Sequence, residues 1–272
     1  MTRIAVLQMT SGIDPEANFK IIARAAHEAR EGGAEMLFTP EMSLLLDRDR
    51  KRAAPKVAEA QARFADRLGK LAVQSGVTLA IGSMAVAKPD GIWANRAFVF
   101  GPEARQPLAT YDKIHMFDVD LDSGESWRES NAYAPGEAVV TLDETPVGKL
   151  GLAICYDMRF PALFEELGNR RCNAIAIPAA FTVPTGKAHW HILLRARAIE
   201  ASAFVIAAAQ VGEHEDGRRT YGHSLVIDPW GEILLDMGGE EAGLGFADLD
   251  LSRIDEVRAQ VPSLANRRKI AK

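Results

Sequence analysis

Apolar residues gather along the chain into short, nearly unbroken runs: 3–9 (RIAVLQM), 34–40 (AEMLFTP), 78–84 (TLAIGSM), 96–101 (RAFVFG), 150–155 (LGLAIC), 173–180 (NAIAIPAA), 204–210 (FVIAAAQ) and 223–228 (HSLVID). Runs that are apolar throughout, rather than at every second position, predict strands covered on both faces. Between them the apolar spacing lengthens to three and four residues. Residues 15–31 follow Asp14, carry Pro15 in the first turn and stop at Gly32-Gly33, which is the punctuation of a helix. Residues 55–75, 161–170 and 188–203 predict further helices. The turn residues Asp228-Pro229-Trp230-Gly231 separate two apolar runs and predict a hairpin. Residues 139–155 (VVTLDETPVGKLGLAIC) predict another.

The order of elements repeats. A strand–helix–strand–helix–strand series over 3–84 returns over 150–210. Two such halves predict two sheets with helices outside, an α/β fold of four-layer α-β-β-α sandwich type with an internal pseudo-twofold pattern. Identity between the halves is negligible, so the duplication rests on pattern alone. No Pro/Gly/Ser-rich linker divides them, and residues 1–272 are expected to form a single domain.

Composition narrows the partners. Hydrophobic residues make up 47% and charged residues 25%, enough for a large core. A net charge of −5 argues against a general nucleic-acid binder, which needs clustered Lys and Arg. The dense basic cluster, 266–272 (NRRKIAK), is expected to be a solvated tail. No apolar run approaches the roughly 18 to 20 residues that span a bilayer. The opening apolar stretch is too short for a signal-peptide core. Cys155 and Cys172 make no disulfide framework, and a cytoplasmic protein is expected.

Cys155 closes the run 150–155 and is followed by Tyr156, Asp157 and Arg159. A free cysteine is a small hydrophobe often buried for packing, and the same position also suits a thiol nucleophile. The residues alone leave both readings open. Cys172, beside two arginines at the start of a strand, reads as structural. Among the histidines, His27 lies within a helix and His214 in the charged loop GEHEDGRR. His115, His189, His191 and His223 stand in no spacing that identifies a Cys–His protease. His189 and His191 with His223 suggest a zinc set, but two His separated by one residue point to different faces of a helix. No third ligand is indicated, so no metal is expected. A carboxylate base with a nearby cation is the other route to an active thiol. Glu41 lies just past one apolar run and Lys113 in a short run broken by charges. Both positions suit loop-facing, solvated side chains as well as the ligand sites that open α/β sheets place beyond strand ends.

Taken together, Glu41 in TPEMSLL, Lys113 in YDKIHMFDVD and Cys155 in GLAICYDMRFP resemble the nitrilase superfamily of carbon–nitrogen hydrolases over nearly the full chain. The blocks 185–200 (TGKAHWHILLRARAIE) and 221–231 (YGHSLVIDPWG) are also similar to that family. The second family glutamate falls on Glu129, and Thr39 departs from the Phe common before Pro-Glu. The resemblance implies the same sandwich fold and a Cys-Glu-Lys-Glu site. In it Glu41 serves as the base, Cys155 as the nucleophile, Lys113 with the Tyr156 N–H as oxyanion donors, and Glu129 as the group that orients Lys113. The reaction it implies is hydrolysis of a linear amide by water through a thioester, with neither metal nor organic cofactor.

Within the superfamily the blocks are most similar to the Nit amidases. That branch implies a small amide substrate, an α-keto acid whose far carboxyl is an amide. Deaminated glutathione comes first, cleaved to 2-oxoglutarate and Cys-Gly. The alternatives are an omega-amidase acting on 2-oxoglutaramate or succinamate, another branch such as a carbamoyl amidase or true nitrilase, and a non-catalytic binding protein on the same fold. Intact Glu41, Lys113, Glu129 and Cys155 argue against the last. Arg159, Phe181, Thr185, His189 and Arg195 are the candidate substrate-binding residues, with Arg197 as a further cation. The family also implies a homodimer or higher homo-oligomer, with residues 161–170 and 188–203 as candidate contact surfaces.

Overall fold

The computed structural model describes residues 1–120, 124, 126–268 and 270. In chain order its strands are β1 (Thr2–Gln8), β2 (Met36–Phe38), β3 (Thr78–Ala87), β4 (Trp93–Phe100), β5 (Ala109–Asp112), β6 (Asp118–Asp120), β7 (Ser126–Arg128), β8 (Thr141–Leu142), β9 (Leu150–Leu152), β10 (Ala174–Ala176), β11 (Phe204–Ala207), β12 (Val211–Glu213), β13 (Arg219–Tyr221), β14 (Leu225–Ile227), β15 (Ile233–Asp236) and β16 (Gly243–Leu249). The α-helices are α1 (Pro15–Glu31), α2 (Arg50–Ser75), α3 (Pro161–Asn169), α4 (Val183–Ala201) and α5 (Ser252–Gln260).

Successive side chains of β1 enter different cores, and this alternation sets the layers. Ala5 and Leu7 join Leu37, Leu79 and Ile81 under Ile22 and Ala26 of α1 and Leu68 and Ala72 of α2. Ile4 and Val6 point the other way, into a core with Phe38, Val99, Leu152 and Ile206 that joins the two sheets. Phe164 of α3 and Leu194 and Ala198 of α4 close the outer side of the second sheet. Each large aliphatic or aromatic side chain so buried contributes about 1.5–3 kcal/mol. The result is the expected α-β-β-α sandwich.

The duplication is visible in the sheets. One has the order β16-β1-β2-β3-β4-β5 and the other β8-β9-β10-β11-β14-β15. Each has parallel strands at its centre, β1-β2-β3 and β9-β10-β11. Each is flanked by an antiparallel strand on one edge and an antiparallel pair on the other. Both expected hairpins form, as β8-β9 and β14-β15. In the second, Asp228 Oδ1 accepts the N–H of Trp230 at 2.9 Å and of Glu232 at 2.7 Å.

Two helices begin earlier than expected. Asp49 accepts the N–H groups of Lys51 and Arg52, so α2 starts at Arg50 and Pro55 lies inside it. For α4 the start is Val183, with Pro184 in the first turn where its missing N–H costs nothing. The basic end is not free: Arg267 Nη1 donates to Glu165 O at 2.9 Å and to Asn169 Oδ1 at 2.6 Å, tying the segment to α3. Lys269, Ala271 and Lys272 of that expected tail lie outside the described residues.

Four strands are shorter than their apolar runs. After Phe38, Leu152, Ala176 and Ala207 the chain stays buried but leaves regular pairing. Single bonds persist, such as Thr39 N–H to Ala80 O at 3.0 Å and Cys155 N–H to Pro178 O at 2.9 Å. These buried, irregular continuations hold Glu41, Cys155 and Ala180.

Candidate active site

Glu41 follows β2, Lys113 follows β5, Glu129 opens a short 3₁₀ turn after β7, and Cys155 opens another after β9. Strand ends thus bring together four residues spread over more than a hundred positions. Lys113 Nζ donates to Glu41 Oε1 at 3.0 Å and to Glu129 Oε2 at 2.8 Å. Asn95 Nδ2 spans the same two carboxylates, at 2.9 Å from Glu41 Oε1 and 3.1 Å from Glu129 Oε1. Backbone holds both carboxylates as well: Ala180 N–H donates to Glu41 Oε2 at 2.9 Å and Phe117 N–H to Glu129 Oε2 at 2.7 Å. Cys155 lines the same cavity beside Glu41, close enough that each group shifts the ionisation of the other.

Burial makes these charges strong. Glu41, Lys113 and Cys155 are 5%, 2% and 8% exposed. Burial opposes the Lys113 ammonium, but attraction to Glu129 and Glu41 overrides it and holds the pKa well above the usual lysine range. Burial likewise opposes the Glu41 carboxylate, yet attraction to Lys113, the neighbouring Cys155 thiol and hydrogen bonds from Lys113 and Ala180 leave its pKa below the ordinary value. Burial first, and repulsion from Glu41 second, push the Cys155 thiol well up. At neutral pH the cluster is therefore a neutral thiol beside an anionic carboxylate and a fixed ammonium.

Cys155 itself has φ of 46°, a left-handed conformation that a non-glycine residue adopts only under constraint. Asp157 supplies the constraint. Fully buried, it accepts Tyr111 Oη at 2.6 Å, Ile154 N–H at 2.9 Å and His115 N–H at 3.0 Å, with His115 Nδ1 at 2.7 Å. It thereby ties the cysteine turn to the segment carrying Lys113. The turn's far side is held by Arg197 Nε, which donates to Met158 O at 2.7 Å. Among the described residues no acceptor takes the N–H of Tyr156, which lies in the first turn after Cys155.

The cluster lines a cavity of about 440 Å³. Phe181 and Thr185 line it too, as expected. The other expected substrate contacts stand elsewhere. Arg159 and His189 are not in the lining; the guanidinium lies over the rings of Tyr156 and Phe181 and within 3.3 Å of His189 Nδ1. Arg195 points away, its Nε donating to Gly231 O at 2.8 Å on the β14-β15 turn. Beyond Lys113, the cations that do line the cavity are Arg48, Arg50, Arg128, Arg218 and Arg219. Sequence reasoning missed these, and also Asn95 and Asp157. Asn95 left a signal, a polar residue inside the apolar strand WANRAFVF.

The description of carbon-nitrogen hydrolases matches residues 3–259. The chain belongs to the carbon-nitrogen hydrolase family. It is 39% identical over 268 residues to a deaminated glutathione amidase of Synechocystis, covering 97% of each chain. It superposes on the C. elegans NitFhit protein with a TM-score of 0.92 at 34% identity, covering 98% of this chain and 65% of that one. A variant of the amidase from Nesterenkonia sp. AN1, TM-score 0.82 and 27% identity, covers 98% of this chain and 94% of its own. It shows the acetamide moiety of fluoroacetamide added covalently at its active site cysteine. The sandwich of this carbon-nitrogen hydrolase is thus the fold of its family, and its activity is that of an amidase.

Cys172 takes no part in the site. It is buried in the second sheet's core, its thiol pushed up to about 11 by burial. His214 is buried as well, its ring nitrogens 2.9 Å from Ser11 O and 2.8 Å from Thr220 Oγ1. Among the described residues no helix is long and apolar enough to cross a membrane.

Proposed function

We propose that this hydrolase cleaves deaminated glutathione to 2-oxoglutarate and Cys-Gly, through a thioester on Cys155. The observation that carries the reading is a buried Glu41 carboxylate, held by Lys113 Nζ at 3.0 Å, in the same cavity wall as the Cys155 thiol. Glu41 takes the thiol proton as Sγ attacks the amide carbonyl. The oxyanion forms between Lys113 Nζ and the Tyr156 N–H, donors worth roughly 3–4 kcal/mol each. Glu41 passes its proton to the amide nitrogen, the C–N bond breaks and the amine departs. The same carboxylate then takes a proton from water as the oxygen attacks the thioester, and the thiol is restored as the acid leaves. Glu129 fixes the Lys113 ammonium throughout, and no cofactor enters.

The substrate carries a carboxylate at each end. Arg48 and Arg218 on the cavity wall are the cations we assign to them. Arg218 is oriented by Asp216, its Nε 2.9 Å and its Nη2 2.8 Å from Oδ2, with the guanidinium over the Trp127 ring. Among the described residues no acceptor takes the Trp127 indole N–H, which is buried in the cavity wall. A cavity of about 440 Å³ leaves room for the Cys-Gly portion beyond the scissile bond.

Residues 1–272 act in this reading as one hydrolase domain, in the cytoplasm and as a homo-oligomer. The two unpaired cysteines support a reducing compartment. The exposed apolar side chains of Ile199, Trp230 and Ile233 support self-association.

The test is a side-by-side assay of deaminated glutathione and 2-oxoglutaramate, following 2-oxoglutarate release. The reading expects kcat/KM at least tenfold higher for deaminated glutathione. The reverse preference makes the chain an omega-amidase, and activity on neither removes the substrate assignment.

A further inference from the structure

His191 on α4, His223 before β14 and Asp236 at the end of β15 meet outside the cavity. His191 Nε2 lies 3.1 Å from Asp236 Oδ2, and His223 Nδ1 lies 2.9 Å from Asp236 Oδ1. One donor atom from each of the three is within 4.8 Å of the others. Zinc–ligand bonds of 2.0–2.1 Å in a tetrahedron place neighbouring donors about 3.3 Å apart, and each imidazole already stands near that distance from its own oxygen of the Asp236 carboxylate. The two imidazoles stand edge to face with centroids 4.9 Å apart, and the His191 side chain is part-exposed.

The surroundings hold these donors in place. Gly238 N–H donates to Asp236 Oδ1 at 2.9 Å, fixing the carboxylate, and His223 N–H donates to Gly238 O at 2.7 Å. Gln8 Nε2 pins that same carbonyl at 3.0 Å. Trp190 Nε1 donates to His223 O at 2.8 Å, and the Tyr221 ring stacks on the imidazole at 4.5 Å. His223 has φ of 52°, a strained conformation for a residue with a side chain. A β-carbon at Gly239 would come within 3.0 Å of His223 Nε2, so the absence of one there leaves room for the ring. Outer partners of this kind orient the ligands in protein metal sites.

We propose that His191, His223 and Asp236 form a binding site for a divalent transition metal, zinc foremost, distinct from the Cys155 cluster. Two imidazole nitrogens and one carboxylate oxygen make up the donor set, with a fourth position open to water. The donors come from α4, the segment between β13 and β14, and β15, so an ion there staples three parts of the chain.

The test uses the purified full chain, stripped with a chelator and titrated with Zn²⁺ against a chromophoric competitor, with Tm measured in parallel. Wild type is expected to take up one ion per chain and to gain Tm. His191→Ala and Asp236→Asn, both outside the amidase cluster, are expected to lose at least tenfold in affinity and the Tm gain. Co²⁺ substitution separates this site from the active-site thiol. The bound ion should give tetrahedral d–d absorption without thiolate charge-transfer absorption, and Cys155→Ala should leave it unchanged. Uptake that survives His191→Ala and Asp236→Asn, or that disappears with Cys155→Ala, overturns the proposal. So does the absence of uptake by wild type. In that case the trio is a hydrogen-bonded ion cluster only.

Discussion

Lys113 Nζ lies 3.0 Å from Glu41 Oε1, and both side chains are almost sealed from solvent. Such a pair is costly to break, because removing one partner leaves the other charge buried and uncompensated. Lys113→Met is therefore expected to destabilise the fold by about 3–5 kcal/mol and to raise the pKa of Glu41. Urea unfolding measures the first effect. The second should appear as an upward move of the acid limb in residual kcat/KM, and an unmoved limb would show that Lys113 does not set the state of Glu41.

Glu41→Gln keeps the shape of the site and removes the proposed base. Turnover should fall roughly 10²–10⁴-fold, the usual weight of general acid–base catalysis, while the far-UV spectrum stays the same. A loss smaller than tenfold in kcat would mean another group carries the proton.

The buried groups also shape the dependence of stability on pH. Glu41 has a folded pKa below its ordinary 4.5, so its contribution is present above that value and is lost as pH falls through the folded value. Cys155 and Lys113 are raised above their ordinary 9.0 and 10.5, so their contributions are present below those values and decline as pH rises past them. The urea midpoint should be flat from near pH 5 to near pH 9, apart from titration elsewhere in the chain. Above pH 9 it should fall, and Cys155→Ala should flatten the first part of that fall. An unchanged alkaline slope in the variant would assign it to other groups.

Asp157 is the strut between the cysteine turn and the Lys113 segment. Asp157→Asn replaces an acceptor with an amide donor facing N–H and O–H groups. The expected cost is about 1–3 kcal/mol in unfolding free energy. Because the strained turn loosens, kcat should fall while KM for substrate changes little. An unaltered kcat would confine Asp157 to stability.

Arg48, like Arg50 and Arg219 and unlike Arg128 and Arg218, lines the cavity with no carboxylate paired to its guanidinium among the described residues. Arg48→Gln should raise KM for deaminated glutathione by about tenfold, the equivalent of 1.4 kcal/mol, and leave KM for a neutral amide such as propionamide unchanged. Equal effects on both substrates would remove the charge-pairing role.

Much of this was legible before any coordinates. The double strand–helix series returned as two sheets of matching order, because buried parallel strands leave unbroken apolar runs. Glu41, Lys113 and Cys155 stood out because each interrupts or ends such a run. The arginines did not read correctly. Arg195 and Arg159 lie near the right motifs, but which face of α4 or of the cysteine turn meets the cavity is decided by packing. Arg48, in the loop between β2 and α2, and Arg218, in the turn before β13, carried no local pattern that points them at the cavity. The histidines make the same point. His189 and His191 do face apart, one toward Arg159 and the other toward Asp236. The third donor that completes the His191–His223 set comes from the β14-β15 hairpin, and nothing in its local sequence marks it.

The most direct measurement is intact-mass spectrometry of enzyme quenched within a turnover of deaminated glutathione, followed by peptide mapping. The account predicts a 2-oxoglutaryl adduct on Cys155, with free Cys-Gly released in the same burst. A full burst of product with no adduct under acid quench, or an adduct on any other residue, would contradict it.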